Sequence, residues 1–256
     1  MLATAPADPV RGGRPRTAQA ALAQSALQEE LPVPESTPWV AAAVAALLAY
    51  LVGSLSFAVL VSRVMGLADP RTYGSGNPGA TNVLRSGSKA AALLTLLLDG
   101  LKGWAPVWAS ARWGSNWGLA DGALACVGLA AFLGHLFPVW FRFRGGKGVA
   151  TAAGVMLAWV PPLGLLVVFT WVAVALTLRY SSLAAIVAAL AAPLGYGWLD
   201  GLWWEARLPI AAAMVAMVAL LLWRHAGNIQ RLLAGQESRI GERSRAAKSS
   251  PPQRPG

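Results

Sequence analysis

The sequence predicts an all-α integral membrane protein of about seven transmembrane helices, on three observations. Of its 256 residues, 56% are hydrophobic and only 12% charged, with mean hydropathy +0.52. A soluble domain carries about twice that charged share. Apolar stretches of 16 to 23 residues recur along the chain, the length range that crosses a bilayer. Lys and Arg gather in alternate loops, the asymmetry that orients membrane proteins.

Residues 1–38 are rich in Ala, Pro and polar side chains and lack the apolar core of a signal peptide, so they read as a disordered tail. Spans follow at 39–61, 89–111, 118–140, 149–161, 162–178, 183–199 and 208–223. The fourth and fifth could instead form one helix kinked at Pro161 and Pro162, and charge decides between the two readings. With seven spans, loops 63–88, 141–148 and 179–182 share one side with the tail from 224. These loops carry Arg63, Arg71, Arg85, Arg142, Arg144, Lys147 and Arg179, and seven more Lys/Arg follow residue 223. The opposite loops, 112–117 and 200–207, hold only Arg112 and Arg207. Merging the two spans would send the basic C-terminal tail outside, against the positive-inside rule. The expected orientation is therefore N-terminus out and C-terminus in, with the polar loops cytoplasmic. Residues 39–241 form the membrane domain, and 242–256 read as a second, basic disordered tail. A sixteen-residue span rises only about 24 Å, so several spans need tilt or local thinning of the bilayer. Cys126 lies in an apolar run, reads as buried, and has no second cysteine to pair with. The net charge of +10 fits this topology and anionic headgroups, and no nucleic-acid partner is expected.

Three polar stretches fall on the cytoplasmic face. In "YGSGNPGATNVLRSGSKAA" (73–91) the glycines expose backbone N–H groups, and Ser75, Asn77, Thr81 and Asn82 add side-chain donors. Arg85 adds a fork that fits a phosphate or carboxylate with two parallel bonds. Ser86 or Ser88 caps the helix that follows. "GHLFPVWFRFRGGKGVAT" (134–151) contains RGGKG, which is similar to the core of a phosphate-binding loop with Lys147 as its point charge. It lacks the upstream Gly and the following Ser/Thr of a nucleotide P-loop. "RHAGNIQRLLAGQESRIG" (224–241) places His225, Asn228 and Arg231 near one face if the helix continues past residue 223. Asp99 and Lys102, three apart in the second span, read as a buried structural ion pair, although charges inside a membrane are functional candidates by default. Ser182, in "RYSSLAA", reads first as a helix cap. Singly, these stretches have ordinary readings as turns, topogenic charge and an interfacial His135. Together on one face, donor-rich and poor in carboxylates, they read as a site for a phosphorylated anion.

No His/Cys/Asp cluster has metal-ligand spacing, so neither metal nor cofactor is expected. No G-x-S-x-G elbow is present. Neither histidine is followed five residues on by Asp, since His135 leads to Trp140 and His225 to Gln230. That excludes the signature of the glycerolipid acyltransferases that take thioester donors.

The order GSGN-x-GATN-x-x-R, GH-x-FP…GGKGVAT and RH-x-x-NI-x-RL-x-x-G-x-E closely resembles the bacterial membrane acyl-phosphate:glycerol-3-phosphate acyltransferase family (PlsY). "LLLDGLKGW" and "RYSSLAA" are also similar, the likeness covers about residues 45 to 241, and Arg144 stands where the family more usually has Lys. The resemblance implies a seven-helix enzyme that acylates the sn-1 hydroxyl of glycerol-3-phosphate from a fatty acyl-phosphate and releases phosphate. It implies that Ser75 and Arg85 are essential and that His225 and Asn228 are critical, while Glu237 is structural. Gly145, Gly146 and Gly148 would shape the glycerol-3-phosphate pocket, where a methyl would block close approach of the phosphate. The expected catalytic set is Ser75, Arg85, His225 and Asn228. Asn77, Thr81, Asn82, Lys147, Ser182 and Arg231 join the three glycines as the expected phosphate-binding set, with Glu237, Asp99 and Lys102 in support. Either His225 or a phosphate oxygen of the donor serves as base. The acyl chain would lie in a groove between helices, open to the bilayer. The expected partners are the two substrates and the lipid bilayer, with no obligate protein partner. The competing class is a transporter or exchanger of small phosphorylated anions, whose sites also use broken, glycine-rich segments. The missing inverted repeat and the one-sided polar stretches argue against it.

Overall fold

The computed structural model describes residues 37–241. Both expected tails therefore lie outside the described residues, except that Thr37 and Pro38 already belong to the first helix. Among the described residues the regular structure is helical, with one isolated bridge between Asp200 and Trp204. We number the helices α1 (Thr37–Gly53), α2 (Phe57–Val64), α3 (Ala80–Leu84), α4 (Lys89–Trp113) and α5 (Asp121–Leu136). They continue as α6 (Val149–Trp159), α7 (Pro161–Leu178), α8 (Ser181–Trp198), α9 (Leu208–Arg224) and α10 (Ala226–Leu233). Among the described residues, four segments are long and apolar enough to cross a membrane: Lys89–Trp117, Asp121–Phe141, Pro161–Leu178 and Ser181–Trp198. Two bent pairs, α1 with α2 at 42° and α9 with α10 at 57°, pass the same test together, and α6 is a shorter apolar helix of 11 residues.

The breaks correct the sequence reading at the first span and settle a condition it left open at the last. The first expected span is interrupted between Gly53 and Phe57. The last ends at Arg224, one residue past its expected end, and the helix does not continue unbroken, so His225 stands at a corner ahead of the helix that carries Asn228 and Arg231. Between α6 and α7 the chain folds back at Val160. A Cβ on Gly164 would lie 2.5 Å from the Cα of Leu157, whereas residues seven apart in one helix are about 10 Å apart.

The outward face of α4 is greasy and its inward face polar. Leu93, Leu94, Leu96, Leu97 and Leu101 are exposed, while Thr95, Asp99, Lys102 and Gly103 are buried. Leucine loses nothing by facing lipid tails, but polar groups there must find partners inside the protein. Cys126 follows the same logic: it is exposed on α5, not buried as the apolar run suggested. The Asp99–Lys102 pair, 2.8 Å apart, serves the α1–α2 break. Lys102 Nζ donates to the Leu55 carbonyl at 2.6 Å, and the Phe57 backbone N–H faces the Asp99 carboxylate. One ion pair thus tends the chain on both sides of a gap in a helix.

Glycine lets the helices touch backbone to backbone. A Cβ on Gly103 would sit 2.2 Å from the Thr151 carbonyl oxygen, and one on Gly154 would sit 2.0 Å from that of Gly100. On the other side of the bundle a Cβ on Gly134 would meet the Tyr50 carbonyl at 2.3 Å. These contacts lock α4 to α6 and α1 to α5, the small-residue packing that membrane helices favour. A core of small and branched residues, with Ala49, Val107, Ala131, Val155, Ala189 and Leu221 among them, fills the space between these helices, α8 and α9.

Candidate active site

The first polar stretch is a loop folded around one buried side chain. Gly74 and Gly76 take positive φ (60° and 65°), and Gly79 precedes α3. Asn82, on α3, donates through Nδ2 to the carbonyls of Pro70 (2.6 Å) and Tyr73 (3.1 Å) and accepts the Ser75 N–H at 3.0 Å. Its carboxamide is spent on the loop, so Asn82 shapes the site instead of facing an anion as the sequence suggested. Ser75 is exposed beside it and Asn77 is half-buried. Thr81 shares a hydrogen bond of 2.9 Å with Ser181, which ties the loop to α8. Arg85 reaches Ser238 Oγ at 2.7 Å and forms no ion pair among the described residues. The α4 cap is Ser88, whose Oγ accepts the Ala91 N–H at 3.2 Å.

The second stretch is a turn clamped from two sides. The Gly146 N–H donates to the His135 carbonyl at 3.1 Å. The Arg224 guanidinium donates to the Gly145 carbonyl at 2.7 Å and to that of Gly146 at 3.0 and 3.1 Å. A Cβ on Gly145 would lie 2.1 Å from the His135 carbonyl, and one on Gly146 would lie 2.2 Å from His135 Nε2. One on Gly148, whose φ is 81°, would lie 2.3 Å from Phe132. The glycines are thus demanded by packing against α5, whereas the sequence argument had them clearing space for a phosphate. Lys147 leaves this turn to donate from Nζ to Asn228 Oδ1. Burial pushes its ammonium pKa down to about 8, with Glu237 opposing and Arg231, Arg224 and Arg85 adding to the fall.

The third stretch supplies the centre. His225, 2% exposed, sets Nδ1 2.8 Å from the Leu221 carbonyl. A carbonyl can only accept, so Nδ1 carries the hydrogen and Nε2 is left as an acceptor. Asn228 links Lys147 to Glu237, donating from Nδ2 to Oε1 at 2.6 Å. Ser182 donates to the same oxygen at 2.7 Å, and Arg231 Nε to Oε2 at 2.8 Å. Ser182 is therefore part of the cluster, not a helix cap. Burial raises the Glu237 carboxyl, but the bonds from Asn228, Ser182 and Arg231 outweigh it and hold it below the usual carboxylate range. Residues 237–240 cross the cluster, pinned where the Ile240 N–H meets the Arg179 carbonyl at 2.6 Å.

The fold therefore brings three guanidinium groups, of Arg85, Arg224 and Arg231, and one carboxylate, Glu237, within electrostatic range of Lys147, with Arg231 paired directly to Glu237. Excess positive charge in a partly buried place is what an anion of more than one charge requires. Asp99 and Lys102 lie apart from this cluster, beneath the glycine turn. The sequence reading missed Arg224 as the clamp on that turn; its place beside His225 in the third stretch was the one available signal. A narrow cleft lined wholly by apolar residues lies between α6, α7, α8 and α9. It begins at Val149, next to the glycine turn, and at Leu221, whose carbonyl holds His225, and it extends to Met156 and Val167.

The profile of a family described as glycerol-3-phosphate acyltransferase matches residues 43–235. The glycerol-3-phosphate acyltransferase of Burkholderia ambifaria (strain ATCC BAA-244) is 62% identical over 203 residues, 79% of this chain and 92% of that protein. That of Paraburkholderia xenovorans (strain LB400) is 57% identical over 209 residues, 82% and 95% of the two chains. Among solved structures, PlsY (YgiH), an integral membrane glycerol 3-phosphate acyltransferase, matches in its glycerol 3-phosphate form. The TM-score is 0.71 at 38% identity, over 78% of this chain and 96% of that one. Its lysophosphatidic acid form matches with a TM-score of 0.69 at 38% identity, over 78% and 95%.

Proposed function

Because the chain belongs to the glycerol-3-phosphate acyltransferase family, we propose that it moves a fatty acyl group from an acyl-phosphate to the sn-1 hydroxyl of glycerol-3-phosphate. The products are 1-acyl-glycerol-3-phosphate and inorganic phosphate. The observation that carries this reading is the juxtaposition of a cation-rich polar cluster with the head of an apolar cleft. Two anionic headgroups would be held in the cluster and the acyl chain in the cleft.

In this reading Arg85 and Lys147 hold phosphate groups, and the N-terminal N–H groups of α6 add a partial positive charge. Ser75 and Asn228 orient the headgroups, and Glu237 keeps Asn228, Ser182 and Arg231 in place. The sn-1 oxygen attacks the acyl carbonyl, a bond to that oxygen forms, and the bond to the phosphate oxygen breaks. The hydroxyl proton passes to Nε2 of His225 or to an oxygen of the donor phosphate. An acyl-phosphate is a mixed anhydride, so orientation and charge stabilisation do most of the work.

The reading also takes each bent pair as one span and α6 as a short one. With the four long segments this makes seven, N-terminus out, and sets the cluster on the cytoplasmic face of the bacterial cytoplasmic membrane. Purified protein given glycerol-3-phosphate with acyl-phosphate, acyl-CoA or acyl carrier protein thioester in turn tests the reaction. Product and phosphate release are expected with acyl-phosphate alone. Turnover with a thioester and none with acyl-phosphate would overturn the donor assignment.

A further inference from the structure

A second buried polar cluster lies directly beneath the glycine turn, and the chemistry above leaves it idle. Thr151, fully buried on the first turn of α6, donates from Oγ1 to the Asp99 carbonyl at 2.9 Å. The same Oγ1 lies 3.1 Å from His135 Nδ1. A hydroxyl has one hydrogen, and here the Asp99 carbonyl takes it, so His135 Nδ1 must be the donor to Thr151. That fixes the ring, and its other nitrogen, Nε2, occupies the space a side chain on Gly146 would need, 2.2 Å from where its Cβ would stand. The His135 carbonyl meanwhile accepts the Gly146 N–H at 3.1 Å. Asp99 is itself anchored by Lys102 at 2.8 Å, and Lys102 by the Leu55 carbonyl at the α1–α2 break. A chain of contacts thus runs from a broken helix through α4 and α6 into the backbone of the residue before Lys147.

We propose that Thr151 and His135, footed on the Asp99–Lys102 pair, are positioning residues that set the height of the Gly145–Lys147 turn. They would thereby fix where the Lys147 ammonium meets the phosphate of glycerol-3-phosphate. Arg224 grips the turn from above, and the His135 ring supports it from below. The turn carries the cation but has no bulk of its own to hold its shape, because glycine supplies none. Its precision is therefore borrowed from α5 and α6. A loop displaced by about 1 Å can lose far more activity than the contacts it gives up. This inference rests on the glycerol-3-phosphate reading for the identity of the anion, but not on the acyl donor.

The test uses the full-length protein in detergent, with Thr151→Val, which keeps the shape and removes the hydroxyl, and Thr151→Ser, which keeps the hydroxyl. Glycerol-3-phosphate binding by calorimetry is measured beside steady-state kinetics for both substrates. Thr151→Val should weaken glycerol-3-phosphate binding and raise its KM about tenfold, the scale of one hydrogen bond, with the donor KM essentially unmoved. Thr151→Ser should restore both. If Thr151→Val does not accumulate as folded protein, His135→Asn against His135→Leu asks the same question, since Asn keeps a donor near the place of Nδ1. Normal binding in Thr151→Val, equal loss for both substrates, or failure of the conservative variant to rescue would each overturn the proposal. A wild type that binds glycerol-3-phosphate without acylating it, with binding lost in Thr151→Val, would sink the reaction while the positioning role stood.

Discussion

At the scale of single residues, charge and geometry assign different duties to the cations. Arg85 is partnered by a hydroxyl, Ser238, instead of a carboxylate, which leaves its fork free to take a phosphate. Arg85→Lys keeps the charge and loses the paired donors, so kcat/KM should fall about tenfold, about 1.4 kcal/mol of transition-state stabilisation. An unchanged kcat/KM would show that only its charge matters. Lys147 titrates at about 8 because burial disfavours its charged form. The charged form attracts the anion, is full below that pH and is lost above it. The kcat/KM for glycerol-3-phosphate should therefore decline on the alkaline side, with a midpoint near the Lys147 pKa of about 8. Lys147→Arg should push that limb upward, and a limb that stays put would belong to another group. Ser75, Arg85, Lys147, His225 and Asn228 stand out in the sequence because their side chains advertise donors where a membrane protein has little reason to keep them, and their duties are those proposed above. Asn82 was misread for the same reason. A side chain's chemistry shows what it can bond, and only the fold shows that Pro70, Tyr73 and Ser75 had already claimed it.

At the scale of elements, broken helices and close-packed glycines do the positioning. Gly146→Ala would drive a methyl into His135 Nε2 at 2.2 Å and toward the Pro78 carbonyl at 3.0 Å. The turn must lift, so glycerol-3-phosphate KM should rise more than donor KM, with about 1–3 kcal/mol lost from thermal stability as in other overpacked sites. A raised donor KM with glycerol-3-phosphate unaffected would assign the turn to the other substrate. The apolar cleft gives a second expectation. Ala188 is buried in its wall between α8 and the facing helices, so Ala188→Leu would fill part of it. Acyl-phosphates of graded length should show the preference moving to shorter chains, by about tenfold or more for the longest. An unaltered chain-length profile would place the acyl chain elsewhere. The end of the last span near Arg224 was legible because the chain turns polar there, whereas the break after Gly53 was not, since the expected span ran through it to residue 61. Hydropathy measures whether a segment tolerates lipid, and is silent on where its axis bends.

At the scale of the whole molecule, the basic loops should share one face. Cysteines at Arg144 and Gln236, both exposed, should be labelled from the same side of the membrane in a Cys126→Ser background. A cysteine at Trp203, 69% exposed, should be labelled from the opposite side. Labelling of 144 and 236 from opposite sides would break the seven-span parity. The Cys126 replacement is needed because that thiol faces outward.

The sequence by itself determined the solvent of this protein and the chemistry of its ligands. Apolar runs separated by basic loops have few physical meanings outside a bilayer, and three donor-rich stretches on one face have few targets besides an anion. Tertiary structure decided how those donors are deployed. Arg224 became the clamp on the glycine turn, Asn228 the link from Lys147 to Glu237, and Thr151 with His135 the support beneath. These roles depend on backbone carbonyls of α4 and the glycine turn meeting a buried hydroxyl of α6 and a guanidinium of α9. Every residue has a carbonyl, so a linear sequence carries no mark of which one will be met.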